Sequence, residues 1–182
     1  QQDDLQPDRE FLRHSHPPPD HQQHDDLTMT AFRIVPGDFD DVRVVALLAG
    51  HFAAMRSTAP EESCHVMPLD AMREADLDFF AAWDGEDLAG VGAVKRLDEG
   101  HGEIKSMHTA AAFRRRRVGQ AILDHMLGHA AALGLSRLSL ETGASDFFVA
   151  ARALYARNGF SDCAPFGPYK PDPNSVFMTR CL

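Results

Sequence analysis

Between Gly102 and Leu133 the chain changes period across a turn that carries four consecutive arginines. Gly102 to Thr109 reads as a strand. Beyond the turn, Val118, Ala121, Ile122, His125, Met126, His129 and Leu133 recur at helical spacing, which predicts a helix starting near Val118 and stopping at Gly134. A strand that enters a helix through a polar turn leaves the first helical N–H groups unpaired, at the positive end of the helix dipole. In Phe113-Arg114-Arg115-Arg116-Arg117-Val118-Gly119-Gln120-Ala121 the arginines add charge-assisted contacts and Gly119 permits close approach of an anion or of the neighbouring strand. The junction is therefore read as a phosphate cradle.

The flanking segments alternate strand and helix periods. Phe32 to Val35 fits a first strand, and Asp40 or Asp41 caps a helix running to about Ser57, with Pro60 ending the segment. A short helix through Pro68 to Glu74 precedes Leu77 to Trp83, which turns at Asp84-Gly85 into Leu88 to Arg96. With Gly102 to Thr109 these strands form an antiparallel meander. Leu135 to Glu141 reads as a buried strand, and Phe147, Ala150, Ala151 and Leu154 define a helix ending at Asn158-Gly159. Phe160 and Val176 to Leu182 supply the last strands. The fold class is α/β, more narrowly an α+β mixed sheet that is mostly antiparallel and flanked by helices.

Composition narrows the function classes. With 182 residues, 44% of them hydrophobic, the chain can bury one sizeable core. A formal charge of −9 opposes association with nucleic acid or an anionic membrane surface, which leaves small molecules as the expected partners. Residues 1–28 are nearly all polar and are expected to form a disordered tail or leader, with the domain spanning 29–182. His14, His16, His21 and His24 lie in that tail without fixed geometry. Cys64, Cys163 and Cys181 have no C-x-x-C spacing, so neither a disulfide framework nor a metal site is expected. The apolar runs are too short to span a bilayer and there is no signal-peptide pattern, so the expected location is cytoplasmic.

Arg114 to Gly119 resembles the acetyl-CoA loop of the GNAT acetyltransferase superfamily, Q/R-x-x-G-x-G/A. Arg114 takes the first position and Gly119 the last, while Arg117 stands where the family has its first glycine, a departure expected to alter the loop and add a charge. Ala153-Leu154-Tyr155-Ala156-Arg157-Asn158-Gly159-Phe160 resembles a second family signature. Gly102-Glu103-Ile104-Lys105-Ser106-Met107, Leu140-Glu141-Thr142-Gly143 and Pro165-Phe166-Gly167-Pro168-Tyr169 resemble a bacterial acetyltransferase subgroup with no assigned acceptor.

The resemblance implies a sheet splayed in its middle, with acetyl-CoA as cosubstrate. Met107, His108 and Thr109 match strand positions whose main chain meets the pantetheine arm, and Arg114 to Ala121 match the diphosphate loop. Tyr155 matches a tyrosine that protonates the leaving thiolate, or is a core tyrosine. Glu103 matches a glutamate that serves as base, or pairs with Lys105, since alternation sets Glu103, Lys105 and Met107 on one face and His108 on the other. The acceptor is expected among the loops: His51, Met55, Arg56, Ser63 and His65 on one side, Phe166, Tyr169 and Lys170 on the other, with Arg56 or Lys170 as carboxylate anchors. The expected activity is acetyl transfer to a primary amine of a small metabolite through a ternary complex. A protein or peptide acceptor, a noncatalytic acyl-CoA module, and a homodimer formed through the edge of Val176 to Leu182 stay open.

Overall fold

A computed structural model describes residues 32–58, 60, 63 and 65–182; the segment 1–28 and Cys64 lie outside the described residues. Seven strands form one sheet in the order β1-β2-β3-β4-β5-β7-β6. The first four, β1 (Arg33–Pro36), β2 (Leu77–Asp84), β3 (Asp87–Arg96) and β4 (His101–Thr109), pair antiparallel. β5 (Arg137–Gly143) runs parallel to β4, and β7 (Ser175–Cys181) lies antiparallel between β5 and the two-residue β6 (Ser161–Asp162). The last long strand is thus not the terminal strand of the sheet as expected; β6 pairs with its outer side at Met178 and Thr179. The mixed, mostly antiparallel sheet matches the fold class read from the sequence.

Alternation along β2 explains how both faces are covered. Phe79, Ala81 and Trp83 join Val44 and Leu48 of α1 (Val42–Arg56) and Met72 of α2 (Leu69–Glu74). Phe80 and Ala82 point to the other layer, with Ile122, Leu123 and Met126 of α3 (Val118–Ala132) and Tyr155 of α4 (Val149–Arg157). A strand buried on both faces must be apolar there, as this one is from Phe79 to Trp83. Gly92 brings α3 close to β3: a Cβ there would stand 2.8 Å from Ile122 and 3.0 Å from the Met126 sulfur. Asp41 caps α1, accepting from the Arg43 N–H at 2.8 Å.

Some boundaries move for identifiable reasons. Leu135 closes the C-terminus of α3, its N–H donating to Ala130 O beside left-handed Gly134, so β5 starts at Arg137. Phe147 falls in a 3₁₀ turn, Asp146–Phe148, ahead of α4. Phe160 is buried but lies just before β6.

Two irregularities in β4 open the sheet at its middle. Ser106 takes φ 51°, and the register with β3 slips from Val91 opposite His108 to Ala93 opposite Lys105, which places one extra residue on β4. Pairing with β5 stops at Ile104 opposite Leu140, although β4 continues to Thr109 and β5 to Gly143. The two strands part there and leave a cleft between them. Among the described residues no helix is long and apolar enough to cross a membrane.

Candidate active site

The cleft at this fork measures about 1070 Å³ and is lined by β4 from Ile104 to Thr109, β5 from Glu141 to Gly143, the N-terminus of α3, the inner face of α4, and parts of α1 and the segment after it. That exceeds the usual pocket for a single small ligand. One end is formed by nearly consecutive residues, Arg114, Arg115, Arg117, Val118, Gly119 and Gln120. Arg117 is the N-cap of α3 with φ 64° and no side-chain cap bond, so the first N–H groups of the helix are left to whatever the cleft holds. At the position where a glycine is expected, Arg117 adopts the left-handed conformation that a glycine accepts without strain, at a cost of about 1 kcal/mol. Arg116 turns away, pairing with Asp84 at 2.7 Å over the Phe113 ring, and neither it nor Ala121 lines the cleft.

Tyr155 of α4 also lines the cleft. Its ring is buried and its hydroxyl donates to the Met107 sulfur at 3.5 Å, a weak acceptor. Burial pushes the phenol well above its ordinary pKa, so it stays protonated. The bulge at Ser106 also corrects the alternation expected along β4. Met107 packs in the α3–α4 layer, opposite to the face expected, while His108 stacks on His51 of α1 with ring centroids 4.5 Å apart. Desolvation brings His51 down to about 4 and lowers His108 as well, so both rings are neutral at pH 7.

The other end is assembled from distant segments. His65, after α1, meets the Tyr169 ring edge-on at 5.1 Å, joining the two loop regions expected to flank an acceptor. Met55 and His65 line the cleft; Arg56 is exposed over the Phe52 ring and does not. Tyr169 and Lys170 line a smaller adjoining pocket of about 310 Å³. Glu103 is 3% exposed and does not line the cleft. Its carboxylate accepts from Lys105 Nζ at 3.0 Å and from the Tyr169 hydroxyl, so the pairing with Lys105 is present, in a buried rather than a surface position. Two residues given no role from the sequence reach the cleft instead. Glu141 accepts from Ser175 Oγ at 2.6 Å, and burial raises its carboxyl above the ordinary range; Asn174 donates to Ser63 Oγ at 3.1 Å. His125 and His129, by contrast, pack their edges against Phe80, and His129 meets Asp78 at 2.8 Å.

Residues 44–160 match the acetyltransferase (GNAT) family model. This chain belongs to the GNAT family. As a GNAT N-acetyltransferase it is 46% identical over 145 residues to the uncharacterized N-acetyltransferase YsnE of Bacillus subtilis, covering 80% of this chain and 96% of that one. It is 40% identical over 125 residues to an IAA acetyltransferase of Azospirillum brasilense, covering 68% of this chain and 80% of that one. A structure from Klebsiella pneumoniae superposes with a TM-score of 0.68 at 29% identity, over 84% of this chain and 99% of that one. The GNAT fold is also shared with a Bacillus subtilis acetyltransferase solved in complex with CoA (TM-score 0.63, 19% identity, 83% and 99% covered).

Proposed function

We propose that this GNAT enzyme transfers the acetyl group of acetyl-CoA directly to the primary amine of a small metabolite bound in the same cleft. In the balanced reaction the amine nitrogen forms the new C–N bond, the C–S bond breaks, one proton leaves the nitrogen and one reaches the thiolate. The observation that carries this reading is Tyr155: a buried tyrosine lining the cleft whose hydroxyl, among the described residues, bonds only a thioether sulfur, in a cleft that a helix N-terminus and the Glu141 carboxylate also line.

The residues present fit the cofactor. The N–H groups of Val118, Gly119 and Gln120 and the side chains of Arg114, Arg115 and Arg117 suit a diphosphate. The edge of β4 from Met107 to Thr109, freed of its β5 partner, suits an extended amide-bearing arm. Acetyl-CoA, when bound, supplies the activated carbonyl. Tyr155 Oη keeps its proton until charge builds on sulfur, then donates to it. Glu141 takes the proton of the amine, since it faces the cleft while Glu103 is committed to Lys105 and Tyr169. A small acceptor is favoured because His65, which lines that end, is packed edge-on against the Tyr169 ring.

A screen of thiol release from acetyl-CoA across amino acids, polyamines, aminoglycosides and short peptides tests the proposal, with Tyr155→Phe as control. Release with a small amine, strongly reduced in the variant, is expected. Release with peptides only would make it a protein acetyltransferase. Tight acetyl-CoA binding without release to any amine would make it a noncatalytic acyl-CoA module.

A further inference from the structure

At the fork of the sheet two oppositely charged side chains face the same cleft without meeting. The last β4–β5 pair is Ile104 with Leu140, so Lys105 and Glu141 are the first residues beyond it on neighbouring strands. Both line the cleft, yet among the described residues no ion pair joins them. Each is held from its own side. Lys105 Nζ donates to Glu103 at 3.0 Å and to the Tyr169 hydroxyl at 2.7 Å, while that hydroxyl donates to Glu103 and closes a triangle. Glu141 is held by Ser175 Oγ at 2.6 Å. An ammonium has three donors, and two are engaged here.

Opposite charges in a half-buried wall attract strongly, so keeping them apart requires these side partners. The arrangement leaves one cationic donor and one carboxylate exposed to the same ligand. Resting on the acetyltransferase reading above, we infer that the acceptor is a small zwitterion, an amine that also carries a carboxylate, with Lys105 holding the carboxylate and Glu141 facing the amine. A simple amine would displace water from Lys105 without replacing its hydrogen bond, whereas a zwitterion satisfies both groups at once. Of the other cleft-lining cations, Arg114, Arg115 and Arg117 stand at the cradle end and Arg157 is on α4, and the anchors expected from sequence lie off the cleft: Arg56 on the surface and Lys170 in the smaller pocket.

The test compares each amino acid of a panel with its own carboxamide, which keeps the amine and removes the negative charge, measuring kcat/KM for thiol release from acetyl-CoA alongside acetyl-CoA affinity by calorimetry. The best acid is expected to exceed its amide by about 100-fold. Lys105→Met should narrow that ratio to about 5-fold or less, and Lys105→Arg should retain most of it. The wild-type comparison stands even if the Met variant fails to fold. Equal use of acids and amides, or a preference for amides, would overturn the inference while leaving the acetyltransferase reading intact. If acetyl-CoA binds but no amine of either kind is acetylated, the reading fails and the inference falls with it.

Discussion

Six of the seven positions from Arg114 to Gln120 line one end of the cleft, while the other end draws His51, His65, Lys105, Glu141 and Asn174 from segments up to 123 positions apart. The first end is a local device. A left-handed arginine starts α3, and the helix presents N–H groups that would serve any phosphate equally well. The second end exists only once the sheet has formed, because Lys105 and Glu141 become neighbours through the parallel register of β4 and β5. Local devices are shared by proteins of one family; long-range assemblies set what each member acts on. On the function proposed above, the cradle serves the cofactor and the fork the acceptor.

If that division is right, changes at the fork should remove turnover without touching acetyl-CoA affinity. The largest effect is expected for Glu141→Gln, a fall of about 1000-fold in kcat/KM for the amine. The wild-type profile should rise with pH on a limb above the ordinary carboxylate range, because burial raises Glu141, and the variant should lose that limb. An unchanged profile would move the base elsewhere and blur the contrast.

The histidine pair marks the α1 wall of the cleft and answers to pH through stability. His51 falls from 6.5 unfolded to about 4 folded through desolvation, with His108 lowered in the same direction. A depressed folded value means that the unfolded chain binds more protons between those limits. Stability is therefore full above about 6.5 and declines as pH falls toward 4, by at most about 3 kcal/mol from His51. His51→Leu should flatten that slope in denaturant titrations at a series of pH values.

Tyr155→Phe sits between the two ends. It should lower kcat by about 100-fold and leave acetyl-CoA affinity nearly unchanged, since only the donor to sulfur is removed. The smallest effect belongs to the cradle. Arg117→Gly should raise stability by about 1 kcal/mol by relieving the φ of 64°, while weakening acetyl-CoA binding by less than about ten-fold in a salt-dependent way. If Arg117→Gly abolished binding, the side chain rather than the main chain would be the essential part of the cradle.

The same division explains how much of the molecule is legible in its sequence. Helical spacing from Val118 to Leu133 and the turn at Asp84-Gly85 between two apolar runs are local patterns, and they lead to the strand–turn–helix junction and to the first hairpin of the sheet. The phase of β4 beyond Lys105 is not legible. Nothing in Lys105-Ser106-Met107 marks the left-handed turn at Ser106, yet that turn sends Met107 to Tyr155 and His108 to His51. Glu141 is hidden for a different reason. Between Leu140 and Thr142 it reads as one more strand residue, and only the parting of β4 from β5 exposes it to the cleft. Glu103, one position from the end of that pairing, stays covered.

A crystal structure with acetyl-CoA and a nonreactive acceptor analogue tests the division most directly. The account predicts the diphosphate on the N–H groups of Val118, Gly119 and Gln120, the thioester sulfur within hydrogen-bond reach of Tyr155 Oη, and the acceptor between Lys105 and Glu141. A cofactor whose sulfur lies away from Tyr155, or an acceptor bound outside the fork, would contradict it.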